Sequence, residues 1–240
     1  MEKLIYLLFS ANNEPEEQFA ATMKAAAKRL ASAAGVRGMT LYLADAEVEP
    51  ARFRRIQTSA NLPLAMVSVW FDNWMQSAAL ESTLTDLCEY HAYLVTESEP
   101  LVMASQTPGR VPGMCHIAMF QRPPRLQHAE WLEIWQGHHT QVAIDTQSTF
   151  GYRQNVVVRP LSSGAPPYSG IVEENFPADA MTSQYTFFAC ENDEGLRANM
   201  EAMMTSCQEF LDFDKIDVVP VSQYIIRERA SASAHQSADN

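Results

Sequence analysis

Two histidines and two tryptophans fall within nine consecutive positions of one segment, W-L-E-I-W-Q-G-H-H, as Trp131, Trp135, His138 and His139. Imidazole titrates near neutral pH, so either histidine can carry general acid–base chemistry or ligate a metal. Metal ligands on one helix sit three or four residues apart, so adjacent histidines do not chelate together. No cysteine or carboxylate cluster completes a ligand set, and no metal and no cofactor are expected. At about 100° per residue, Trp131, Trp135, His139, Val142 and Thr146 share one helix face, with His138 on its flank. Soluble helices fill such a stripe with aliphatic residues. Indoles and imidazoles there need polar partners or a wet cavity. His139 is therefore the first catalytic candidate and His138 the second. The competing reading makes His139 a structural histidine that ties helix to sheet, and His138 a surface one. His116, in the strand-like run M-C-H-I-A-M-F, either points into a cavity or is a satisfied core histidine.

These residues need elements to hold them. The chain has 240 residues, 47% of them hydrophobic and 19% charged, enough for a sizeable core. The formal net charge of -12 disfavours nucleic acid and anionic membranes as partners. The first apolar run is short and is followed by Asn12, Asn13 and Glu14, which fits a strand better than a signal or a membrane span of ~20 apolar residues. The four cysteines, Cys88, Cys115, Cys190 and Cys207, lack C-x-x-C spacing and read as buried free thiols in a reducing, cytoplasmic setting. The chain has no G-x-G-x-x-G, no G-x-x-x-x-G-K-[ST] and no G-x-S-x-G, which removes nucleotide, dinucleotide and serine-hydrolase readings.

Periodicity and turn residues predict strands at 3–10, 38–46, 64–71 and 93–96, with helices at 15–34 and 74–89. Asn12 or Asn13 is the expected cap of the first helix, and 49–60 reads as a loop or short helix. Pro100, Pro108, Gly109, Pro112 and Gly113 mark a boundary. Beyond it come strands at 114–121, 151–160, 185–189 and 218–227, and helices at 128–149 and 193–210. Each half reads β-α-β-β-α-β, the order of a ferredoxin-like unit. The strands are apolar on both parities, so both sheet faces must be covered. Two such sheets facing each other satisfy this. The expected fold is therefore α+β: two ferredoxin-like repeats forming a pseudo-dimer within one chain. The expected divisions are 1–98 for the first, degenerate repeat, 99–113 for a linker, 114–228 for the second repeat and 229–240 for a disordered tail.

The string W-Q-G-H-H-T-Q-V resembles the W-x-x-x-H-x-x-[VL] helix of EthD-like proteins of the dimeric α+β barrel superfamily, with Trp135 and His139 at the family positions. The following G-Y-R-Q-N-V-V resembles the family's Y-x-Q-N strand through Tyr152, Gln154 and Asn155. Y-S-G-I-V-E-E-N-F resembles its acidic segment and suggests Glu173 as the carboxylate; F-L-D at Phe210 to Asp212 resembles the end of its second helix. The likeness covers roughly the second half. It departs at Thr140 and Gln141, where the family usually has glycine and proline, and His138 is an extra imidazole.

The resemblance implies an intrachain dimeric α+β barrel and one small-molecule site per chain. It implies cofactor-independent proton-transfer chemistry, a dehydratase, lyase or isomerase acting on an apolar aromatic or polycyclic carbonyl compound. In that reading His139 moves a proton, and Asn155 or Tyr152 holds a carbonyl or hydroxyl. Asn155, Gln154 or Glu173 orients the imidazole, and Trp135 and His116 complete the binding set. The alternative is a non-catalytic protein that holds a hydrophobic intermediate. A homodimer is compatible with either.

Overall fold

The computed structural model describes residues 1–11, 14–104 and 107–229. The first half runs β1 (Glu2–Phe9), α1 (Glu16–Ala31), β2 (Val36–Leu43), β3 (Ala65–Phe71), α2 (Ala78–Thr85) and β4 (Glu89–Leu101). A two-residue strand, β5 (Gly109–Arg110), precedes the second half. That half runs β6 (Met114–Phe120), a helix in three parts, β7 (Gly151–Pro160), β8 (Gly170–Phe176), α5 (Gln184–Phe187), α6 (Asp193–Phe210) and β9 (Ile216–Arg227). The three-part helix is α3 (His128–Leu132), a π-helical segment over Glu133–His139, and α4 (Thr140–Thr146).

The strand order is β2-β3-β1-β4-β7-β8-β6-β9, and β9 pairs back onto β2, so the sheet closes on itself. Within each half the order is that of a ferredoxin-like unit, as the element sequence requires. The halves join at β4–β7, where Glu97 faces Asn155, and at β2–β9, where Leu41 faces Tyr224. Closure leaves no long unpaired edge. It also explains the apolar residues on both parities. One parity packs inside the barrel (Ile5, Leu7, Met66, Ile117, Met119, Ile171, Val219 and Val221). The other lies under the helices: α1 and α2 cover the first half through Phe19, Met23, Leu30 and Leu80, and Trp131, Trp135 and Phe210 cover the second.

Several boundaries depart from the sequence reading. The third strand of the second half is β8, not residues 185–189, which form the short α5. The run Y-T-F-F-A has strand-like composition, but Ser183 caps a helical turn there through its hydroxyl. β8 carries Glu173 and Glu174 at its centre, and two adjacent carboxylates disguise a fully buried strand. β4 extends from Glu89 to Leu101, far beyond 93–96, because it crosses from its own sheet to the other half. It thus enters the expected linker, and Gly109 and Arg110 of that linker pair with Ile225 and Tyr224. Residues 46–54 form a 3₁₀ helix. Pro15 occupies the capping position of α1, whereas Asn12 and Asn13 lie outside the described residues, as does the tail from 230 onward.

Candidate functional site

The π-helical segment falls on the stretch that holds the tryptophans and histidines. A π turn adds one residue to the helix, and such insertions recur at functional sites. Here Thr140 Oγ donates to the Trp135 carbonyl, five residues back, at 2.8 Å. The extra residue rotates the buried stripe. His139 and Thr140, although adjacent, are both buried, and Ala143 replaces Val142 on the inner face. His138 swings outward; its side chain is 58% exposed and lies 3.9 Å from the Glu209 carboxylate.

Trp131 and Trp135 are fully buried with ring centroids 5.0 Å apart, and Phe120 meets Trp135 edge-on at 5.0 Å. Gly170 permits this approach: a Cβ there would sit 2.9 Å from the Trp135 ring and 2.7 Å from Phe120. His139 Nδ1 shares a 2.9 Å hydrogen bond with the Ser206 hydroxyl of α6, and its ring packs 4.5 Å from Phe210. Burial, with His138 adjacent, lowers its pKa to about 4, so the imidazole is neutral at physiological pH.

Alternation along the strands divides the remaining candidates between two faces. Tyr152 and Gln154 face the helices. Gln154 donates to Thr140 Oγ and accepts from Ser98 Oγ at 2.9 Å. Tyr152 lies beside the Trp135 indole and the Thr140 hydroxyl. His116 also faces the helices, between Phe176 and Phe187 at 5.2 and 5.4 Å. Burial and the nearby Arg54 guanidinium lower its pKa to about 3. Asn155 and Glu173 point the other way, into the barrel, and neither shares a face with His139.

Glu173 is the hub of the barrel interior. Its carboxylate accepts from Lys3 Nζ (2.7 Å), Arg153 Nη1 (2.7 Å), Tyr42 OH (2.5 Å), Ser68 Oγ (3.1 Å) and Asn155 Nδ2 (3.1 Å). Burial pushes this carboxyl up, but Lys3 and Arg153 outweigh burial and hold it well below the usual carboxylate range.

The neighbouring Glu174 behaves oppositely. It faces the helices, paired in register with Tyr152 on β7 and His116 on β6. It is 9% exposed, and its Oε1 has no hydrogen-bond partner. Burial raises its pKa to about 8, so it is a protonated acid at neutral pH. His116 Nε2 and the Trp131 indole nitrogen in this layer also lack partners. Buried polar atoms are nearly always satisfied, so a layer with several open ones has unused capacity for a ligand or water. Sequence reasoning missed Glu174. Period-two alternation through V-E-E-N would have placed it opposite Tyr152, had this run been read as a strand.

Cavities lie elsewhere among the described residues. Two lie at one barrel mouth, of about 340 and 750 Å³, and one of about 990 Å³ lies beside Phe9, Cys88 and His91. α6 borders the helix layer, with Ser206 on His139 and Cys207 near Glu174. Only Ser206 and Phe210 of its 18 residues are buried, while Met200 and Met204 are 42% and 46% exposed. Among the described residues no group of three or more metal-ligating side chains is assembled, the four cysteines are free, and no helix is long and apolar enough to cross a membrane.

No family model and no curated protein matches the chain. Solved structures do. An anthrone oxidase-like protein superposes with a TM-score of 0.57 at 10% identity, covering 97% of this chain and 96% of its own. A "putative monooxygenase" from Lactobacillus acidophilus NCFM superposes with a TM-score of 0.51 at 10% identity, covering 96% and 97%. At such identity the likeness establishes the fold, a dimeric α+β barrel built within one chain.

Proposed function

We propose that this protein is an EthD-like enzyme of small-molecule metabolism. Its site lies between the second-half sheet and the helices carrying His139 and Ser206. Its reaction is cofactor-independent proton transfer on an apolar aromatic or polycyclic carbonyl compound. The observation that carries this reading is Glu174, a buried carboxyl kept protonated, with an open oxygen beside Tyr152 and His116. The anthrone oxidase-like neighbour adds a polycyclic ketone to the plausible substrate classes.

Neutral His139 takes the proton from the carbon next to the substrate carbonyl, and the Tyr152 phenol steadies the oxygen on which charge develops. In a dehydration, Glu174 gives its proton to the departing hydroxyl. The C–H and C–O bonds break, a C=C bond forms and water leaves. The proton on His139 then returns to Glu174 through solvent. In an isomerisation, His139 returns the proton to a different carbon. Trp135 and Phe120 supply flat apolar walls. Substrate enters by displacement of α6, whose first turns bury little.

The test follows loss of deuterium from 2,2-dideutero-1-tetralone by NMR. Wild type is expected to accelerate washout, and His139→Ala to lose about 100-fold of that acceleration while folded. Saturable binding of the probe without washout would instead identify a carrier.

A further inference from the structure

The opposite face of the sheet holds a separate feature. Six charged side chains meet at one mouth of the barrel: Lys3, Glu97, Glu99, Arg153, Glu173 and Arg229. Lys3, Arg153 and Glu173 are buried, with side-chain exposures of 2%, 9% and 1%, and Glu97 and Glu99 are partly buried at 10% and 13%. These five comprise two cations and three carboxylates, which leaves one uncompensated negative charge. Arg229 supplies the missing positive charge from outside, with its side chain 36% exposed. Its Nη1 donates to Glu97 and its Nη2 to Glu99 at 2.9 Å. Its guanidinium lies 5.7 Å from the centre of the Trp70 indole.

Trp70 is 6% exposed, and its Nε1 has no hydrogen-bond partner. It lines both mouth cavities, and so does Arg229. The smaller, about 340 Å³, also has Thr40, Met103 and Gln223 in its wall; the larger, about 750 Å³, has Met1 and Val158. Two carboxylates above an aromatic face match the planar fork of a guanidinium better than the point charge of an ammonium. The buried Lys3 ammonium already fills the inner position, 4.9 Å from the same indole.

We propose that this barrel mouth is a binding site for a small guanidinium compound, which takes the place that Arg229 holds between Glu97, Glu99 and Trp70. Arg229 is its built-in occupant, and the cavities on either side accommodate the rest of the ligand. The site is independent of the helix-layer chemistry, since its residues face the barrel interior and its mouth.

The experiment compares wild type with Arg229→Ala, using methylguanidinium as the probe and following melting temperature and calorimetric titration. The variant is expected to melt lower than wild type. Millimolar methylguanidinium should restore it, and should bind it at least about tenfold more tightly than it binds wild type. Methylammonium and potassium chloride at equal concentration should not restore it, and Arg229→Ala combined with Glu99→Gln should lose the response. An equal response of wild type and Arg229→Ala, or one that survives Glu99→Gln or is matched by methylammonium, would overturn the proposal. If Arg229→Ala does not fold, the titration is run on Arg229→Lys, where the same outcomes decide.

Discussion

Glu173 and Glu174 show how one residue step changes a carboxyl. The first lies among Lys3, Arg153, Tyr42, Ser68 and Asn155 and is ionised; the second lies among aromatic rings and is neutral. A folded state that keeps a proton which the unfolded chain releases loses stability as pH rises. For Glu174 that loss runs from its ordinary 4.5 to about 8 and then levels off. His139 and His116 act at the other end. The unfolded chain takes up protons below their ordinary 6.5, and the folded state refuses them until about 4 and about 3, so stability also falls with acid. Glu174→Gln is expected to flatten the alkaline side only, by a few kcal/mol (order of magnitude), as read from urea unfolding across that range. An unchanged slope would mean that Glu174 is ionised in the fold. Of the residues on the two faces, the sequence reading named Trp135, His139, Tyr152, Gln154, Asn155, His116 and Glu173 as candidates. It concealed Glu174 and the ion pairs of Glu173, because Lys3 and Arg153 lie on other strands, 170 and 20 positions away, and carry no local signal. It also grouped Asn155 and Glu173 with His139, from which strand alternation separates them.

At the scale of elements, the π-helical segment is what a regular 3.6-residue pattern could not anticipate. The sequence pattern marked residues 128–149 as one helix, which in the structure ends at Thr146, but it put Val142 inside and His138 at the edge of the stripe. The inserted residue reverses both placements. Gly137 lies inside this segment, and a Cβ there would meet no atom within 4 Å. Its flexibility is therefore not needed for packing. Gly137→Ala is expected to raise stability by about 0.5–1 kcal/mol, seen as a higher urea midpoint with unchanged helix content. A loss instead would mean that the π turn depends on glycine. The strand β8 was unreadable for a different reason: its two carboxylates occupy opposite faces, each satisfied or tolerated only by groups brought from elsewhere in the fold. By contrast, α6 matches its predicted range because Asn192 caps it through a 2.9 Å bond to the Gly195 amide.

For the whole molecule, barrel closure joins two halves that share little residue identity. Both-parity apolar strands and repeated element order were enough to anticipate it, since each implies a second layer on each sheet face. The manner of joining was not readable, because it depends on β4 outlasting its own sheet and on an ion network across the halves. Lys3 and Glu173 are 170 positions apart and meet at 2.7 Å. Removing one partner from a buried network leaves the others uncompensated. Glu173→Ala is expected to cost about 3–5 kcal/mol in urea unfolding. A cost below about 1 kcal/mol would mean that the barrel interior is wet enough to solvate Lys3 and Arg153.

The central claim is that the helix layer, through Glu174, performs proton transfer. Loss of water from 3-hydroxy-1-tetralone, read as 1-naphthol formed by wild type and by folded Glu174→Gln, tests it most directly. The glutamine keeps shape and neutrality but has no acidic proton to give to the departing hydroxyl. Wild type is expected to accelerate the loss of water, and the variant to lose about 100-fold of that acceleration. Equal rates for the two proteins would contradict the role of Glu174.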